Sequence, residues 1–110
     1  MLPINLLKAT GHSVDQEHHT TLIQNRHVQL QRIESPAKFR SEPFLQPEDE
    51  WILVLQGEGT LDIAGDQVTL RVGDSLMIPA DTPHQVLTTS TDPLCIWLTL
   101  HFKKEEPVAS

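Results

Sequence analysis

From residue 26 to residue 102 the side chains alternate in character with a period of two, and turn-forming residues interrupt the alternation at short intervals. A period of two is the signature of a strand, because successive side chains point to opposite faces. In residues 27–35, Val28 and Leu30 alternate with Gln29 and Gln31 before Arg32 and Ile33, as in a half-buried strand. Residues 51–55 are apolar throughout, which predicts a strand buried on both faces. Leu61 and Ile63 are followed by Gly65-Asp66 and then by Val68 and Leu70, the pattern of a hairpin. Residues 75–78 form a short strand that Pro79 stops. Two further strands, residues 84–90 and 94–102, are separated by the turn residues Thr91-Asp92-Pro93. No helical pattern lies between them. Short strands with turn signals roughly every eight to twelve residues specify a sandwich or barrel.

The first 25 residues read differently. Ser13 and Asp15 are candidate N-caps, and Val14, His18 and Leu22 recur at helical spacing, which predicts a short helix over residues 15–24. Residues 2–8 are read as another possible helical turn. The expected organisation is a helical segment at 1–25, a β domain at 26–103 and a disordered polar tail at 104–110.

Composition narrows the class of function. At 110 residues the chain is one domain that can bury a core without disulfides, and its single cysteine, Cys95, forms neither an intrachain disulfide nor a cysteine-based zinc site. The net charge of −7, with eight scattered basic residues, argues against a nucleic-acid or membrane-surface role. No apolar run approaches the roughly 20 residues of a spanning helix. Residues 1–10 lack the basic region and apolar length of a signal peptide. A cytoplasmic, soluble protein is the expectation.

Two segments resemble the cupin motifs. In "GDSLMIPADTPHQV" (residues 73–86), Gly73, Pro79 and His84 fall in step with the second motif, Asp81 stands where that motif has its second glycine, and Thr88 replaces its closing asparagine. Glu50 and Gly57 match the end of the first motif, whose two histidines fall on Phe44 and Gln46. The resemblance spans residues 28–102. Gln46 ahead of Glu50-Trp51, and the ending Trp97-Leu98-Thr99-Leu100-His101, also resemble a group of small single-domain cupins. The resemblance implies an all-β jelly roll, a double-stranded β-helix, here with a short helical N-terminal segment. It also implies an inward metal site made of two histidines, a glutamate and a third histidine. Only Glu50 and His84 carry over directly, with Gln46 in place of the second histidine. Iron, manganese, nickel or zinc would suit such ligands, and the missing pair lowers the expected affinity.

The alignment turns Glu50 inward with Ile52 and Val54 below it. Glu50 is then either a ligand or acid–base group, or a carboxylate paired with an inward arginine, for which Arg32 and Arg40 are the candidates. His84 is read as a pocket residue and potential general base. Glu48 and Asp49 read as a solvated edge, His18 and His19 as exposed helix surface, and His101 as a satisfied sheet histidine. Trp51, Leu53 and Leu55 form a second apolar face on the barrel's outside, which suggests a homodimer. Asp74 is expected to cap backbone N–H groups, and Cys95 to pack as a small hydrophobe. The expected function is binding of a small polar molecule at Gln46, Glu50, His84, Arg32 and Arg40. A metal-dependent oxygenase, isomerase or epimerase using Glu50, His84 and Gln46 is the alternative, and a non-catalytic regulatory or scaffold role is the third.

Overall fold

A computed structural model describes residues 1–9 and 15–104, which contain eight strands and no helix. The strands are β1 (His18–Gln24), β2 (Val28–Glu34), β3 (Asp49–Gln56), β4 (Glu58–Ile63), β5 (Asp66–Arg71), β6 (Ser75–Ile78), β7 (His84–Thr89) and β8 (Ile96–Phe102). They form a five-stranded sheet in the order β1-β2-β8-β3-β6 and a three-stranded sheet in the order β5-β4-β7, with every pairing antiparallel. This is an all-β arrangement of the sandwich or barrel class that the alternation implies, and it is the jelly roll that the cupin resemblance implies. The fold contains no helix long and apolar enough to cross a membrane among the described residues.

The N-terminal expectation is corrected by β1. Positions 14, 18 and 22 are all even, so their spacing satisfies a period of two as well as one helical turn. Thr20, Thr21 and Ile23 are β-branched and favour the strand. Pairing with β2, from His18 opposite Glu34 to Gln24 opposite Gln29, then decides the matter. The candidate cap Ser13 and the spaced residue Val14 lie outside the described residues, as do residues 105–110 of the expected tail.

The core lies between the sheets and is built from Ile33, Ile52, Val54, Leu61, Leu70, Ile78, Cys95 and Trp97. The chain passes from one sheet to the other at Gly57 (φ 73°), where a Cβ would run into Ser90 and the Leu94 backbone. At Gly59 a Cβ would overlap the Trp97 ring, so the missing side chain is what lets the indole reach the core. The β4–β5 hairpin turns at Ala64 (φ 51°) and Gly65 (φ 93°), one residue earlier than expected. Asp74 Oδ2 accepts the Arg71 N–H at 2.8 Å, the backbone cap expected of it.

Candidate functional site

The inner face of the five-stranded sheet carries a band of polar residues along its upper end. Cross-strand register aligns Gln29, His101, Glu50 and Ile78 in one row. The next inward row holds Gln31, Thr99 and Ile52, and the next Ile33, Trp97 and Val54. These rows face the three-stranded sheet, which contributes Leu61, His84 and Val86, and together they enclose a cavity of about 360 Å³.

The loop before β3 delivers two more residues. Residues 38–46 run beside β7, held by Lys38 N–H to Thr89 O, Ser41 N–H to Val86 O, and a reciprocal pair between Phe44 and His84 at 2.7 and 3.0 Å. The Phe44 and His84 rings lie 5.6 Å apart. Asp81 N–H donates to Gln46 O at 2.8 Å and tethers the loop one step further on. Asp81 has φ 60°, so the position that holds a glycine in the motif keeps the left-handed backbone here with an aspartate, one of the few other residues that tolerate it.

Glu50 is the hub of the site, 8% exposed. Its Oε1 accepts from Gln46 Nε2 at 3.2 Å and from His84 Nε2 at 3.2 Å, and its Oε2 accepts from His101 Nε2 at 3.0 Å. Burial pushes the Glu50 carboxyl up, but the bonds from His101 and His84 outweigh it and bring the pKa down to about 2. His84 and His101 are raised in turn, chiefly by their bonds to Glu50 and against the opposing effect of burial. Hydrogen-bond geometry gives the same protonation state independently. His84 Nδ1 lies 2.9 Å from Thr82 O, so both ring nitrogens face acceptors and both must carry protons. His101 sits between Glu50 and the Glu48 carboxylate, the latter 3.8 Å from its Nδ1. The cluster is therefore a carboxylate clamped by two imidazole rings, one held protonated at both nitrogens by its acceptors and the other shifted toward the protonated form by Glu50 and Glu48. It can hold a proton at Nε2 of either histidine, against the wall of a partly apolar cavity.

The structure brings together Gln46, Glu50 and His84 from the sequence reading, and leaves out both arginines. Arg32 projects from the other face of β2, where its Nε and Nη2 donate to the Leu6 and Lys8 carbonyls at 2.7 and 2.8 Å and Nη1 approaches Glu34 at 3.5 Å. The alternation that turns Ile33 inward turns Arg32 outward. Arg40 is exposed in the loop and does not line the cavity. The Glu50 charge is balanced by histidines instead.

His101 is the residue that sequence reasoning missed. The signal was present in the alternate set Trp97, Thr99, His101, which holds every polar residue of β8, while Ile96, Leu98, Leu100 and Phe102 are all apolar. Glu48 lines the cavity rather than a solvated edge. Asp49 is exposed, and its Oδ1 accepts the Ala80 N–H at 2.7 Å. His19 is on strand β1, not a helix, and lines the cavity mouth 3.6 Å from Glu17. Cys95 is fully buried, and burial raises its thiol to about 12, which leaves it inert as a nucleophile at neutral pH.

The metal site that the motifs imply is not matched by the donors present. Phe44 offers none, and the Gln46 amide is turned with its N–H groups toward Glu50. Among the described residues no group of three or more His, Cys, Asp and Glu side chains is arranged to hold a metal ion.

Comparison with known proteins places the fold. Among curated proteins none matches the chain. A crystal structure from Ralstonia eutropha JMP134, named "putative mannose-6-phosphate isomerase", is similar with 26% identity and a TM-score of 0.82, over 94% of this chain and 100% of that one. A conserved protein of unknown function from Streptococcus pyogenes is similar at 18% identity and TM-score 0.73, over 96% and 98% of the two chains. A cupin superfamily protein from Desulfitobacterium hafniense DCB-2 is similar at 21% identity and TM-score 0.73, over 81% and 79%. The family model described as "Cupin domain" matches residues 32–101, a stretch that runs from β2 through the Glu50 strand and His84 to His101, and the chain belongs to that family.

Proposed function

We infer that this protein binds a small polar molecule inside its barrel, against the Glu50–His84–His101 cluster. The observation that carries the reading is the cavity of about 360 Å³ with that cluster on its wall. The volume falls within the roughly 300–1,000 Å³ of small-molecule sites, and the mixture of apolar walls with a few convergent polar groups is what such sites share. The name of the Ralstonia neighbour, that of a sugar-phosphate enzyme, supports a hydroxylated molecule, with or without an anionic group. Proton transfer at Nε2 of His84 or His101 is the chemistry within reach of such a ligand.

The test is a ¹⁵N–¹H NMR titration with D-mannose, xylitol, acetate and inorganic phosphate, following the imidazole signals of His84 and His101. Binding of at least one probe, with shifts at both rings and loss of binding in His84→Ala, is the expected result. No shift with any probe overturns the reading. Elemental analysis of protein purified without chelators checks the metal-dependent alternative, which requires stoichiometric metal.

The chain also pairs with a second copy of itself in this proposal. Leu98 and Leu100 lie opposite Leu53 and Trp51 on the outer face of the five-stranded sheet, and Met77 and Leu30 extend that surface on either side. The apolar N-terminal segment, with Leu2 93% and Ile4 75% exposed, is anchored on the same face through Arg32. A two-fold pairing would cover both surfaces at once, because each copy offers the same patch.

A further inference from the structure

The ion cluster satisfies its own charges, which makes the remaining polar atom deep in the cavity informative. Thr99 is 5% exposed and lines the cavity, and its Oγ1 has no hydrogen-bond partner. It stands between Gln31 on β2 and Ile52 on β3, one inward row below His101 and Glu50. A hydroxyl buried without a partner is destabilising, and native proteins tolerate few of them. Valine would fill the same volume on a strand without that penalty.

We propose that the Thr99 hydroxyl is a ligand-binding group, and that it selects a neutral hydroxylated molecule over an anion. The proposal rests on the binding reading above and names the ligand class for the same site. Two observations set that class. The oxygens of Glu50 are already engaged by Gln46, His84 and His101, and the Glu48 carboxylate faces the other nitrogen of His101, so the cluster offers an anion no unpaired cation. The atom left to be matched at Thr99 is a neutral hydroxyl, which donates one hydrogen bond and accepts others. Ile52, Leu61 and Val86 line the cavity around it, where an unpaired ionic group would be strongly disfavoured. Same-face residues two apart on a strand are separated by about 6.5–7 Å. A molecule touching both Thr99 and the His101–Glu50 pair therefore carries polar groups that far apart, the reach of a four- to six-carbon polyol or ring sugar.

The experiment compares wild type, Thr99→Val and Thr99→Ser. Stability of each protein without ligand is measured by urea denaturation, and binding by NMR titration with xylitol, D-mannose, acetate and inorganic phosphate. The expected result has wild type binding a neutral polyol in preference to the anions. Thr99→Val should bind that polyol about tenfold more weakly, the loss of one hydrogen bond in a buried site, and unfold at the same or higher urea concentration. Thr99→Ser keeps the hydroxyl and should retain affinity within about threefold. Unchanged polyol affinity in Thr99→Val overturns the assignment of Thr99 and leaves the binding reading standing. A loss of stability in Thr99→Val without ligand also overturns the assignment, because the hydroxyl would then be satisfied by protein or buried water. Preference for acetate or phosphate overturns the neutral ligand class. Failure of wild type to bind any probe overturns the binding reading and the proposal together.

Discussion

Glu50 shows how one buried acid organises its neighbours. A carboxylate at 8% exposure is strongly disfavoured unless each oxygen is hydrogen-bonded, and here three donors converge on it. Replacing it by glutamine should lower stability at pH 7 by about 2–4 kcal/mol, because the two histidines lose the charge they pair with; urea denaturation checks this. The acidity of the pair gives a second expectation. The Glu50 value lies below its ordinary 4.5, so its contribution is complete above 4.5 and is lost as the pH falls toward about 2. His84 and His101 lie above their ordinary 6.5, so their contribution is complete below 6.5 and is lost as the pH rises through the raised values. Stability should therefore be greatest between about 4.5 and 6.5 and fall on both sides, and Glu50→Gln should flatten both limbs. A denaturation series in pH that shows no decline on either side contradicts the clamp.

The strands place the site through register. His101 reaches Glu50 because β8 lies between β2 and β3, and one residue of slip would turn His101 and Thr99 out and Leu100 in. Trp97 helps hold that register, since it fills the space left by Gly59 on β4 and donates its Nε1–H to Ser35 Oγ at 3.0 Å. Gly59→Ala forces a methyl group into the indole and should destabilise the fold by about 1–3 kcal/mol, with a changed tryptophan fluorescence that distinguishes it from a surface effect. The alternation of residues 26–102 was enough to predict most of these strands, and the resemblance to the cupin motif supplied the inward direction of Glu50. The first strand was misread because four-residue spacing satisfies both a helix and a strand. Arg32 was misplaced because a charge was sought for Glu50, whereas alternation alone assigns it to the face opposite Ile33.

At the scale of the molecule, the inner and outer faces of the five-stranded sheet have different work. The inner face closes against β4 and β7 to make the cavity. The outer face displays Trp51, Leu53, Leu98 and Leu100 in adjacent strands. If two copies meet there, light scattering after size exclusion should give twice the 12.4 kDa chain mass, and Leu98→Glu should give the single-chain mass with the fold intact by circular dichroism. A wild-type protein of single-chain mass at high micromolar concentration contradicts the pairing. The cavity proposed as the ligand site is lined from the inner face and Leu98 lies on the outer one, so Leu98→Glu should leave polyol binding unchanged.

Period-two alternation and turn residues are local properties, and they were sufficient for the class of fold; the resemblance of residues 50–57 and 73–86 to the cupin motifs, also read from local spacing, implied Glu50 and His84 as inward residues. Which partners those residues meet is not local. His101 lies more than fifty residues beyond Glu50, and only the strand order β2-β8-β3 brings its ring within 3.0 Å of the carboxylate. The same order leaves the Thr99 hydroxyl without a partner, because its neighbour Ile52 on β3 is apolar and the amide of Gln31 on β2 bonds Thr21 and His19 on β1 instead. Sheet topology decides such contacts, since hydrogen bonds and buried charges act over a few ångströms in space, whatever the separation along the chain.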